Sequence, residues 1–214
     1  MHTLKNVFLV FFLFTPACLF AQKPFTEGAI VYQITMSPED KDINTGSYSI
    51  IVKGDMIRKE MKLAGLDYTI IINCATNKVY SLRCRNGKNY AIELTMEEMT
   101  KEQAKFKGYT LSNVKNENKK LAGYQVSWSN VTYKNGSTAY IGYTKDWKPS
   151  QTLTYERFPD ANFLPLNFFY KNEAGITVTF VAQKVDPCPI ENAVFRIPRD
   201  YKIISNAEYT EMSR

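Results

Sequence analysis

Few residues in this chain could carry out acid–base or nucleophilic chemistry. The 214 residues include one histidine, His2, and it lies in a segment read below as removed on export. Without histidine, a Ser-His-Asp or Cys-His arrangement cannot be built, nor a zinc site that needs imidazole. Cys74, Cys84 and Cys188 lack CxxC spacing, and a Cys84 nucleophile would have no base beside it. Asp40, Asp42 and Asn44 have a partial calcium-loop spacing but no glycine at the sixth position and no closing glutamate. Glu97 and Glu98 fall on an expected exposed helix face. No catalytic residue, metal site or cofactor is therefore expected, and the chain reads as a non-enzyme.

What remains is aromatic and apolar chemistry on strands. Tyr68, Tyr124, Trp128 and Phe180 sit where alternation gives one apolar and one polar face. Residues 124–129 set Tyr124, Val126 and Trp128 against Gln125, Ser127 and Ser129, and residues 176–180 set Ile176, Val178 and Phe180 against two threonines. Such a face serves as an ordinary core or as the lining of a site for an acyl chain. In residues 56–63 (MIRKEMKL) the same period puts Met56, Arg58, Glu60 and Lys62 on one face. Ile57, Lys59, Met61 and Leu63 take the other, greasier face, so alternation alone points Arg58 away from the core.

The elements that would carry these residues are mostly strands. Expected strands cover residues 28–36, 47–53, 56–63, 67–74, 79–85, 89–94, 109–115, 123–133, 137–144, 163–170 and 176–185, with a short one within 194–205 whose Pro198 suits an edge. Asn86-Gly87 and Asn135-Gly136 mark turns. One short helix is expected over 95–106, capped by Thr95 with Glu98 three residues on. About ten strands and one helix describe a mainly β (α+β) chain forming a curved antiparallel sheet or half-barrel, since a flat sheet that wide would expose too much. A two-residue turn at Thr76-Asn77 would put Cys74 and Cys84 on opposite faces, roughly 17 Å apart along the strands. The limit for a disulfide is ~7 Å between Cα atoms. Any bridge must then use Cys188.

Residues 1–21 read as a secretory signal: Lys5, the apolar run 7–14 (VFLVFFLF), Pro16, and an exit before cleavage after Ala21. The run is short of the ~20 apolar residues of a membrane span. Cys18 as a lipid-modified N-terminus is the alternative exit. The expected working protein is one periplasmic domain over 22–214 and a monomer. Losing Lys5 leaves 26 basic against 21 acidic residues, a formal +5. The basic residues are scattered among acidic ones, which argues against a nucleic-acid groove.

Five segments taken in order resemble an exported bacterial domain family of unknown function grouped with the LolA/LolB-like lipoprotein carriers. They are 25–32 (FTEGAIVY), 52–61 (VKGDMIRKEM), 70–82, 120–124 (KLAGY) and 195–201 (FRIPRDY). The resemblance implies an antiparallel half-barrel closed on its concave side, with a hydrophobic cavity that takes a lipid or lipoprotein acyl chain. It also implies a cavity-side place for Arg58, where a guanidinium holds a covering segment through its carbonyls. Because Met56 shares that face and Glu60 can pair with it, Arg58 is expected at the cavity with Met56, Tyr68, Tyr124, Trp128 and Phe180. A packed concave face would instead mark an envelope module that binds a protein partner.

Overall fold

The computed structural model describes residues 22–37, 44–63, 66–101, 103–114, 119–150, 155–171 and 175–212. The expected signal segment, Cys18, Asp40 and Asp42 lie outside them. After β1 (Lys23–Phe25), a meander of six strands runs through β2 (Glu27–Ser37), β3 (Asn44–Lys53), β4 (Met56–Leu63), β5 (Leu66–Asn73), β6 (Lys78–Arg85) and β7 (Lys88–Thr95). Next come α1 (Met96–Lys101), a 3-10 turn at Ala104–Phe106, β8 (Thr110–Asn113), β9 (Lys120–Leu121), β10 (Tyr124–Gln125), β11 (Ser127–Thr132), β12 (Thr138–Thr144) and β13 (Trp147–Pro149). The chain finishes with β14 (Leu164–Lys171), β15 (Thr177–Asp186), a 3-10 turn at Asn192–Phe195, β16 (Lys202–Ser205) and α2 (Asn206–Glu211).

Twelve strands form one open sheet in the order β16-β7-β6-β5-β4-β3-β2-β15-β14-β12-β11-β8. All pairings in it are antiparallel except that of β16 with β7. The expected mainly β, curved, unclosed sheet is therefore found, each of its strands falling on one of the expected segments. Two short pairings stand outside it, β9 with β10 and the parallel pair β1 with β13. A second helix, α2, was not anticipated, although Ser205 and Glu208 cap it reciprocally.

Local sequence explains the turns. Asn86 and Gly87 have φ of 52° and 70° and join Arg85 to Lys88 as a two-residue type I′ turn. The preceding hairpin differs from expectation: Asn73 pairs with Lys78, so Cys74–Asn77 form a four-residue turn and the register moves by two. The Asn73 side chain accepts from Thr76 N at 3.1 Å, and Asn77 takes φ 57°. An even shift keeps the faces, and the two cysteines do fall on opposite ones. Cys74, Cys84 and Cys188 are free thiols. At α1, Glu98 N donates to Thr95 Oγ1 and Thr95 N to Glu98 Oε2, the expected capping box.

Register sorts the side chains onto two faces. Tyr32 lies opposite Tyr48, Tyr48 opposite Met61, and Met61 opposite Tyr68. Ile34 lies opposite Phe180, Phe180 opposite Phe168, and Phe168 opposite Ile141. These rows share the inner face and pack with Phe106 and with Tyr155, Phe158 and Phe163 of the 155–163 segment, which forms a roof. The outer face carries a smaller cluster of Ile71, Leu82 and Ala91 around Phe195. Phe195 belongs to the C-terminal strap, residues 187–201, which crosses that face.

Candidate functional site

A recess opens between the inner face and its roof. Its floor comes from three neighbouring strands and two distant ones: Tyr48 on β3, Met61 on β4, Tyr68 on β5, Phe168 and Tyr170 on β14, and Phe180 on β15. Strands 14 and 15 reach this place because β15 pairs with β2, so residues far apart in sequence share one wall. Phe168 stacks on Phe180 with centroids 4.6 Å apart and planes at 8°, and Tyr48 meets Phe180 edge-on at 5.6 Å.

The roof is tied down by polar groups at its near end. Tyr32 donates its hydroxyl proton to Pro165 O at 2.8 Å, so the 2.9 Å contact with Tyr155 must use the Tyr155 proton. Both phenols are buried, which pushes their pKa values up and keeps them neutral donors. The Arg157 guanidinium sits over Phe106 at 4.3 Å and over Tyr170 at 4.1 Å, bridging the helical segment to the sheet. Tyr133 donates to Arg157 O at 3.1 Å. The roof fills nearly all of the space: the cavity left is about 40 Å³. A water needs roughly 10–15 Å³ on this scale, whereas drug-sized sites run to about 300–1,000 Å³. In this conformation the recess accommodates a chain end, not a chain.

Glu156 and Arg157 of the roof line the recess, and a buried lysine lies on the same inner face of the sheet. Lys59 is 3% exposed and stands opposite Ile50 and Ile70. Burial lowers its pKa, and nearby Glu156 and Cys74 pull the other way. Burial likewise raises Tyr48 and Tyr68, with Glu156 adding to both. Alternation along β4 had already placed Lys59 on the greasy face, so its burial was legible. The roof residues Tyr155, Arg157 and Phe158 were not, because the connector around Pro159 has no periodicity.

The expected site residues do not converge. Tyr68 and Phe180 meet in the recess. Tyr124 is half-buried on the β9–β10 hairpin, packed against the main core but outside the recess. Trp128 is buried by stacking on Tyr140 at 5.2 Å and lies across Gly142, where a Cβ would fall 2.6 Å from its ring. Trp128 also lies outside the recess, and its Nε1 has no hydrogen-bond partner among the described residues.

Met56 and Arg58 correct the cavity-side expectation. Ile57 and Met61 are core residues of the inner face, and a strand's neighbouring residues point to opposite sides, so Met56 and Arg58 face outward. The simple alternation was right for Arg58 and the resemblance misplaced it. Arg58 does pair with Glu60, at 2.6 Å from Nε and 2.5 Å from Nη2, and does hold a carbonyl, Val194 O at 3.0 Å. That carbonyl belongs to the strap. Between strap and sheet lies an open groove of about 500 Å³ bordered by Arg58, Arg196 and Arg199.

No protein-family model and no curated protein matches this chain. Solved structures do. A LolA superfamily protein, NE2245 from Nitrosomonas europaea, is 11% identical over 82% of this chain and 92% of its own, with a TM-score of 0.40. MucB in complex with MucA is 12% identical over 83% of this chain and 57% of its own, at 0.43, and the Pseudomonas aeruginosa MucA/MucB complex is 11% identical over 82% and 58%, also at 0.43. The chain spans a little over half the length of the two matched in the MucA/MucB complexes. At such scores these are likenesses only, and the open twelve-stranded sheet stands on its own register.

Proposed function

We propose that this chain is an exported, non-enzymatic binding protein of the cell envelope. It acts as one domain over 22–214, and its inner face takes the apolar part of a lipid or acyl-bearing ligand. The observation that carries this reading is the aromatic recess of Tyr48, Met61, Tyr68 and Phe180, which opens beside a roof that is not part of the sheet. With about 40 Å³ free, a ligand enters beyond its first few atoms only as residues 155–163 withdraw. Native mass spectrometry and lipid extraction of protein purified from the periplasm test it, together with uptake of a fluorescent fatty acid. Co-purified lipid and saturable uptake are the expected results; their joint absence would sink the proposal.

The same small volume favours a second reading, a protein-binding module whose inner face is simply its core. Under that reading neither lipid nor fatty acid binds, and the protein partner is recovered by cross-linking in the envelope.

A further inference from the structure

We propose that the outer groove between β3, β4 and the C-terminal strap is a docking site for an acidic, extended peptide segment of a partner protein. The groove has an apolar floor at Ile51, Val194 and Ile197, and its cations are Arg58, Arg196 and Arg199. Glu60 is the one acidic group lining it, and Arg58 neutralises it. Arg196 and Arg199 are exposed and have no ion-pair partner among the described residues. Two free guanidiniums beside an apolar floor complement a strand-like peptide that alternates carboxylates with small apolar side chains.

The strap that carries both arginines is held in place before any partner arrives. Ile190 N donates to Glu27 Oε1 at 2.9 Å, Lys53 Nζ donates to Ile190 O at 2.5 Å, and Arg58 holds Val194 O. Phe195, 5% exposed, plugs into Ile71, Leu82 and Ala91. Such preorganisation removes part of the ordering cost of binding. A membrane surface fits the groove less well. The exposed large apolar residues among those described are Leu111, Phe169, Ile203 and Met212, and none of them lines the groove to enter a bilayer.

The test is fluorescence anisotropy with a labelled short peptide alternating glutamate and valine, its lysine–valine counterpart, and vesicles of phosphatidylglycerol. The glutamate peptide binds, rising salt weakens it, and the lysine peptide does not bind. The double variant Arg196→Glu/Arg199→Glu, at two exposed positions, keeps the wild-type melting temperature and loses about tenfold or more in affinity. Fatty-acid uptake by the same variant stays at the wild-type level, which separates this site from the inner recess. No binding of the glutamate peptide, equal binding of the lysine peptide, or an unchanged affinity in the double variant overturns the proposal. So does arginine-dependent binding to the vesicles without peptide binding, which would make the groove a lipid headgroup site.

Discussion

Two buried polar residues give the inner face its sharpest tests. Tyr32 serves as donor to Pro165 O and acceptor from Tyr155, so Tyr32→Phe leaves a buried carbonyl and a buried hydroxyl each short of a partner. The expected loss is about 1–3 kcal/mol in urea unfolding, and a loss indistinguishable from zero would mean that the roof is not held there. Lys59 has a folded-state pKa below its unfolded value because burial disfavours the ammonium. The unfolded chain then binds more protons between the two pKa values, so this residue makes stability rise with pH through that window. Cys74 and the buried tyrosines have raised pKa values and act oppositely once their unfolded forms begin to ionise, above about pH 9–10. Comparing wild type with Lys59→Met isolates the lysine. The stability of the variant relative to wild type should fall as pH climbs toward the unfolded lysine value. A relative stability that grows with pH would reverse the assignment.

Among elements, the strap is the one whose role changed most between sequence and structure. Arg58 and Glu60 were expected as a pair, and a carbonyl partner was expected for Arg58; both are present, but on the outer face. The resemblance gave the right kind of partner on the wrong side, whereas alternation along β4 gave the side because Ile57 and Met61 had to be buried. Arg58→Leu should therefore speed amide hydrogen exchange across 190–197 while leaving fatty-acid uptake at the recess unchanged. Altered uptake without a change in strap exchange would restore a gating role to Arg58. The Asn86-Gly87 hairpin and the Thr95-Glu98 helix cap were legible because one backbone angle or one side chain decides each of them. Parallel β16 and the small β1–β13 pair were not, because a short strand's partner is set by burial far away in sequence.

At the scale of the whole molecule, the mainly β character and the open, curved sheet followed from strand count and turn spacing. The pairing of β15 with β2 did not, and it is what carries Phe180 to Tyr48 and Tyr68 and so creates the recess. The roof was also hidden, since an irregular segment buries Tyr155 and Phe158 with no periodic signal to announce it. Two methionines on one strand now report the two faces separately: Met61 lines the recess, and Met56 packs in the outer cluster near the strap. The most direct test is a titration of methyl-labelled protein with a medium-chain fatty acid, followed by NMR. The Met61 methyl resonance should shift and saturate while that of Met56 stays fixed; an unmoved Met61, or a shift confined to Met56, would contradict ligand binding at the inner face.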